Sequence, residues 1–297
     1  MHTFDERSIP WQPFGDLPHF VFAIQHVDRA HRTADVLFKF AAGQQIVLHR
    51  HKALNHTFVV QGEHRLYEPD GLRAPSPGLV FIHGGGWVSH DKERATLHTL
   101  PFLARDHVVF NIDYRVGKGT APAGVEDCFC ALKWIRAHAA EFRADGASVV
   151  VMGHSAGGHL ALMMGVGKDN GACPGPLPVV RAVVNWFGIS DVRDVFEGAN
   201  SQQYAREWLE GKPDPRTLAD SVSPIRLVRA DNPPIISIHG DHDPAVPYPQ
   251  SVRLHEALSK AHVKNQLITI KGGTHGGFPE PEYLRAYRAV FAFIGIP

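Results

Sequence analysis

Cysteine is scarce: the 297 residues hold three, Cys128, Cys130 and Cys173. An odd, sparse set argues against a disulfide framework and fits a reducing compartment. None belongs to a C-x-x-C pair, so all three are expected to be small apolar fillers. An excess of one charge is also missing. Lys+Arg and Asp+Glu each total 30, for a formal net charge of zero. Attraction to nucleic acid or to an anionic membrane is therefore not expected. No apolar run is long enough for a membrane-spanning helix. The opening residues, Met-His-Thr-Phe-Asp-Glu-Arg, lack the apolar stretch of a secretory signal. These absences lead to the expectation of a soluble, cytoplasmic protein. The composition, 44% hydrophobic and 20% charged, is that of a packed globular chain.

From about residue 77, strand-like and helix-like segments alternate. Short apolar runs at 78–83, 108–114, 148–153, 179–187, 234–240 and 266–271 read as buried strands. Helical patterns fall at 91–105, 122–142, 156–166, 249–261 and 280–294. The alternation predicts an α/β fold with a mostly parallel sheet and helices on both faces. Residues 191–220 are polar and irregular, and read as a short cap. The first 72 residues differ. They suggest short strands at 36–40, 45–49, 56–61 and 63–67, and a proline-rich stretch at 68–77 sets a boundary before a catalytic domain at 73–297.

Four strings sit at predicted strand ends. Gly153-His154-Ser155-Ala156-Gly157 matches G-x-S-x-G between a strand and a helix. Such a turn must expose a serine hydroxyl above the sheet, and only small neighbours leave it room. His83-Gly84-Gly85-Gly86-Trp87 offers backbone N–H groups free of side chains, as an oxyanion requires. Gly84, Gly85 and Ala156 are the expected donors, with His83 bracing the loop. In His239-Gly240-Asp241-His242-Asp243, Asp243 is the expected carboxylate and Asp241 the turn-former. Gly272-Gly273-Thr274-His275-Gly276-Gly277 places a histidine in a pliable loop, making His275 the expected general base. Most of the 20 histidines are bland by number alone, and His90, His98, His138, His255 and His262 read as surface or helix-face residues. The chain order Ser155, Asp243, His275 is the order of an α/β-hydrolase triad.

On these strings, with Asp113-Tyr114-Arg115 and Val125-Glu126-Asp127-Cys128, residues 75–297 resemble the hormone-sensitive-lipase-like and feruloyl-esterase-like branch of the α/β-hydrolases. The resemblance implies an α/β-hydrolase fold and a cofactor-free, metal-free acyl-enzyme mechanism on small-molecule esters. Arylformamidase or amidase activity with the same triad is the alternative within enzymes, and a ligand-binding receptor on the same scaffold the alternative outside them. In the cap, Tyr204 and Trp208 are four residues apart and share a helix face. With Trp87 and His154 they are expected to line a small apolar pocket for short acyl groups.

Residues 11–67 resemble the first half of a cupin domain, with Trp11 and Pro13, then Gly43, His49, His51, His56 and Gly62 approximating the first cupin motif. The stretch departs by carrying His56 where glutamate is usual and by lacking a second motif. A cupin-derived β-segment and a plain extension of the hydrolase sheet both remain open, as does Zn²⁺ or Fe²⁺ at His49, His51 and His56. A metal with a part in catalysis, as in a cupin-like oxygenase, is not expected. Open strand edges there would favour a homo-oligomer.

Overall fold

A computed structural model describes residues 75–92 and 96–296, with five strands before them. Contacts divide the chain into two units, Met1–Lys52 and Ala53–Pro297. In the first, β1 (Gln12–Phe14), β2 (Leu17–Asp28) and β3 (Thr33–Phe40) form an antiparallel sheet in that order. Phe20 stands opposite Phe40 and Phe22 opposite Phe38 in its register. The strand expected at 45–49, with His49 and His51, lies outside the described residues.

The second unit holds an eight-stranded sheet. β4 (His56–Val59) and β5 (His64–Glu68) pair antiparallel at one edge. β6 (Ser76–Ile82), β7 (Val108–Ile112), β8 (Ala144–His154), β9 (Val179–Trp186), β10 (Ile235–Gly240) and β11 (Asn265–Ile270) run parallel. The order is β11-β10-β9-β8-β6-β7-β5-β4. β5 joins β7 through Tyr67 opposite Val109, so the chain commits to this sheet before the proline-rich stretch. The unit boundary therefore falls at 52/53 and not near 72. His56 belongs to an edge strand of the main sheet.

Side-chain alternation explains why both faces are covered. In β6, Val80 and Ile82 enter one core, and Leu79 and Phe81 the other; β8 divides Val149 and Val151 from Val150 and Met152 in the same way. The first core is closed by α2 (Ala123–His138), α3 (Ala156–Val166) and α7 (Pro249–Lys260). The second is closed by α1 (Leu100–Leu103) and α8 (Glu280–Ile294). α3 is buried nearly all round, as a sequence apolar but for His159 requires. The helix expected over 91–105 shrinks to a 3₁₀ turn at Thr96–Thr99 and the single turn of α1, which carries Pro101 in its first turn. The cap at 191–220 contains α4 (Val192–Phe196), α5 (Gln203–Trp208) and α6 (Pro215–Ser221).

The cysteine expectation fails. Cys130 and Cys173 form a disulfide, with Cα atoms 5.4 Å apart, and only Cys128 stays free and buried. Cys128 and Cys130 are two apart on α2, so they project to opposite sides: one into the core, one to the loop before β9. This bond removes the ground for expecting a reducing compartment. Among the described residues, no helix is long and apolar enough to cross a membrane.

Candidate active site

The strand order turns back at β6 and β8: the chain passes from β6 outward to β7, then returns to the other side of β6 with β8. Loops leaving these strands diverge and open a crevice at their carboxyl ends. Ser155 sits there, between β8 and α3. Its backbone has φ 56° and ψ −120°, a left-handed conformation that a serine adopts only when its surroundings enforce it. The enforcement is visible. Ser155 N–H donates to Trp186 O at 2.9 Å, and Ser155 O accepts from His159 N–H at 3.0 Å. A side chain on Gly157 would stand 2.2 Å from Ile82 O, so the turn presses directly on the end of β6.

The loops after β10 and β11 touch backbone to backbone. A Cβ on Gly240 would lie 2.2 Å from Gly273 O, and His242 N–H donates to Gly273 O at 2.9 Å. Asp241 accepts from Gly272 N–H at 2.6 Å, the turn-forming role expected of it. This contact carries Asp243 and His275 to one place. His275 Nδ1–H donates to Asp243 Oδ2 at 2.7 Å, and Ser155 Oγ–H donates to His275 Nε2 at 2.8 Å. The Nδ1 proton is fixed by the carboxylate, which leaves the Nε2 lone pair for the serine.

The Asp243 carboxylate is wholly buried and fully used. Oδ1 accepts from the N–H groups of Ala245 at 2.8 Å and Val246 at 2.9 Å. Oδ2 accepts from His275 and also from His239 Nε2–H at 3.1 Å. Burial pushes its pKa upward, but the His239 and His275 hydrogen bonds, the His275 charge and the Val246 amide outweigh it. The carboxyl is held well below the usual carboxylate range. His239 is itself fixed, since its Nδ1 accepts from Ser251 Oγ–H at 2.7 Å. This second imidazole went unremarked in the sequence although it opens the string containing Asp243. Its position in an apolar strand run reads only as core.

Phe187 was also invisible. It follows β9 with φ 41° and stands edge-on to His275, ring centres 4.7 Å apart. No spacing rule predicts a positive-φ phenylalanine there.

Gly84 faces the nucleophile: a Cβ on it would lie 3.3 Å from Ser155 Cβ and 3.0 Å from His154 O. Ala156 opens α3, where N–H groups have no partner within the helix. Gly84 and Ala156 thus border Ser155, and Gly85 follows Gly84 in the same loop, its own close neighbours being Ser89 and His90. His83 is buried and stacked on Tyr114, ring centres 4.4 Å apart.

The expected substrate pocket is revised. Trp87 and Trp208 have no exposed surface and stack 4.3 Å apart, forming core beneath the cap. Trp87 Nε1–H donates to His159 Nδ1 at 3.0 Å, and His159 Nε2–H donates to Val222 O at 2.7 Å, which seals the pair in. Tyr204, on the same helix, remains half-buried above the oxyanion loop, its hydroxyl donating to Ala245 O at 2.9 Å. His154 is buried beneath the nucleophile among Phe81, His98 and Trp186. Burial, and then the His98 and His275 charges, hold its imidazole well below the usual range, so it is neutral. Two of the histidines read as surface or helix-face residues are packed inward: His98 packs against His154 at 4.3 Å, and His255, on α7, is buried against Asn265. A cavity of about 540 Å³, lined in part by Phe129, Met164 and Val179, lies at the opposite end of β9. Among the described residues, no group of His, Cys, Asp and Glu side chains is arranged to hold a metal.

A serine on a strained strand-to-helix turn, an imidazole and a buried carboxylate, in this order on this sheet, define the α/β-hydrolase class. The comparisons place the chain within that class. The BD-FAE family profile matches residues 65–258, and the chain belongs to that family. It is 31% identical over 219 residues to Esterase LipC of Mycobacterium tuberculosis, covering 68% of this chain and 53% of LipC. It is 27% identical over 225 residues to the probable isoprenylcysteine alpha-carbonyl methylesterase ICMEL1 of Arabidopsis thaliana, covering 71% and 47%. The chain thus spans about half the length of these curated relatives. Among solved structures, a truncated carbohydrate esterase from gut microbiota superposes with TM-score 0.68 at 27% identity, over 78% of this chain and 90% of that one. Esterase 2 of Thermogutta terrifontis superposes with TM-score 0.66 at 27% identity, over 82% and 93%.

Proposed function

We propose that this chain hydrolyses carboxylic esters with short acyl groups through an acyl-enzyme on Ser155. The observation that carries the reading is the continuous relay from Ser155 Oγ through His275 to Asp243, at 2.8 and 2.7 Å. Ser155 Oγ attacks the ester carbonyl while its proton passes to His275 Nε2. Asp243 stabilises the resulting imidazolium without taking the proton. The carbonyl electrons move onto oxygen, which the N–H groups of Gly84, Gly85 and Ala156 receive. His275 then protonates the departing alcohol. Water, deprotonated by His275, attacks the acyl-enzyme, and collapse releases the acid and restores Ser155.

The preference for short acyl groups is supported by how firmly the cap is sewn down. Gly119 N–H donates to Glu207 O at 2.8 Å and Ala121 N–H to Trp208 O at 3.2 Å. Trp87 and Trp208, packed as core under the cap, favour a small acyl site in this reading. Acetyl esters of carbohydrates belong in the first substrate panel, because one solved neighbour is a carbohydrate esterase. Two copies paired through the β1–β2–β3 sheet are the proposed oligomer, its outer strands β1 and β3 being the pairing edges.

The test is a panel of p-nitrophenyl esters from acetyl to decanoyl, with wild type and Ser155→Ala. Turnover of acetyl and butyryl esters, lost in the variant, is expected. Unchanged turnover in Ser155→Ala overturns the mechanism; faster turnover of decanoyl than of acetyl esters overturns the short-acyl preference.

A further inference from the structure

The oxyanion loop is held from behind by two buried side chains. Tyr114, 5% exposed, directs its hydroxyl at two successive carbonyls: His83 O at 3.2 Å and Gly84 O at 3.4 Å. His83 Nδ1–H donates to Gly84 O at 2.7 Å. A carbonyl can only accept, so the Nδ1 proton is fixed. Burial raises the Tyr114 pKa well above its ordinary value, so the phenol keeps the proton it donates.

Peptide planarity gives these bonds a consequence. In a trans peptide the C=O and the following N–H point in opposite directions across one rigid plane. His83 O shares its plane with Gly84 N–H, and Gly84 O shares its plane with Gly85 N–H. Those two N–H groups are the donors assigned to the oxyanion. Gripping both carbonyls on the far side therefore sets where both donors aim. A glycine loop needs such a grip, because without side chains its peptide planes rotate freely. Tyr114 is itself wedged: a Cβ on Gly124, at the start of α2, would come 3.0 Å from its ring.

We propose that Tyr114 and His83 are positioning residues that orient the oxyanion donors through the carbonyls of His83 and Gly84. This rests on the ester-hydrolase reading. Neither residue touches the substrate; both act through the peptide planes.

The test compares wild type, Tyr114→Phe, His83→Leu and His83→Asn. Two quantities are read: p-nitrophenyl acetate turnover, and affinity for an aryl trifluoromethyl ketone per titrated active site. The ketone carbon bonds to Ser155 Oγ, the serine proton moves to His275, and the carbonyl electrons become an oxyanion in the same cradle. Tyr114→Phe keeps the ring stacked on His83 and is expected to lower kcat about tenfold, with KM within about twofold. Ketone affinity falls by the same factor. His83→Leu loses both more steeply, about a hundredfold. His83→Asn retains a donor close to the Nδ1 position and recovers most of that loss. The asparagine–leucine contrast carries the same test at the Gly84 carbonyl should Tyr114→Phe fold poorly.

Wild-type kcat and ketone affinity in Tyr114→Phe overturn the role of Tyr114. A fall in kcat with unchanged ketone affinity also overturns it, because the defect then lies away from the oxyanion. Equal values for His83→Asn and His83→Leu overturn the role of His83. In each case wild-type turnover leaves the hydrolase reading intact. A wild-type protein that turns over no ester at all removes both.

Discussion

Replacing Asp243 by asparagine should inactivate the chain while leaving its shape intact. The carboxylate accepts four hydrogen bonds and donates none. Asparagine has one oxygen, and two of the four donors would then face an N–H₂ group. If the oxygen stays on Ala245 and Val246, the amide hydrogens meet the N–H groups of His239 and His275. Turning the amide around moves the clash to Ala245 and Val246. His239 has an escape, because Val246 O lies 3.0 Å from its Nε2. His275 escapes only by moving its proton from Nδ1 to Nε2. The Nε2 lone pair is then gone, and with it the base facing Ser155. Loss of a hydrogen bond to a charged group removes about 1.5–3 kcal/mol. The reversed tautomer and the missing negative charge beside the imidazolium add a comparable amount, for about 5 kcal/mol in all. At about 1.4 kcal/mol per decade this is roughly four orders of magnitude in kcat, in line with about 10⁴ for the like change in an unrelated serine protease. The assay is p-nitrophenyl acetate turnover of Asp243→Asn, with circular dichroism confirming the fold. Turnover within tenfold of wild type would refute the tautomer argument.

Other consequences follow from burial and covalent structure. Gly84→Ala should lower kcat by at least about 10², because the new Cβ stands 3.0 Å from His154 O and 3.3 Å from Ser155 Cβ; an active variant would show that the loop does not press on the nucleophile. Reduction of Cys130–Cys173, which spans 43 residues including the Ser155 turn, should destabilise the fold by about 4 kcal/mol and lower Tm by about 10 °C; scanning calorimetry with and without reductant checks it, and an unchanged Tm contradicts it. Burial lowers the His159 pKa from 6.5 to about 4, against the raising effect of its bond to Val222 O. The unfolded chain therefore takes up this proton first, and stability, full above pH 6.5, falls as pH drops toward 4. Between pH 7 and 5, wild type should lose about 2 kcal/mol more than His159→Gln; urea melts with equal pH dependence would contradict the assignment.

The sequence was most legible where a local rule dictates structure. α8 and α3 have the predicted bounds, and the parallel strands 108–112, 179–186, 235–240 and 265–270 agree within a residue or two. The strands 108–112 and 235–240 are wholly buried apolar runs between glycine, proline or polar breaks. Ser155, Asp243 and His275 were readable because each needs a special backbone at a strand end, and glycines announce it. The long-range facts were not. Nothing local distinguishes Trp87 and Trp208 as mutual core from Trp87 and Trp208 as pocket walls; their stacking depends on how the cap lies on the loop. The partner of Cys130 is on another element, and counting cysteines said nothing of which two approach. β5 reads as a polar-flanked strand, and only its pairing with β7 assigns it to the main sheet. His239 needed Asp243 already in place to be seen as more than core.

In the proposed mechanism Ser155 carries the acyl group during turnover. That step is tested most directly by mixing the chain with p-nitrophenyl acetate, quenching in acid during the first turnover, and sequencing the peptides by mass spectrometry. One acetyl group on Ser155 is expected in wild type and none there in Ser155→Ala. Ester hydrolysis proceeding with the acetyl group on another residue would contradict the mechanism.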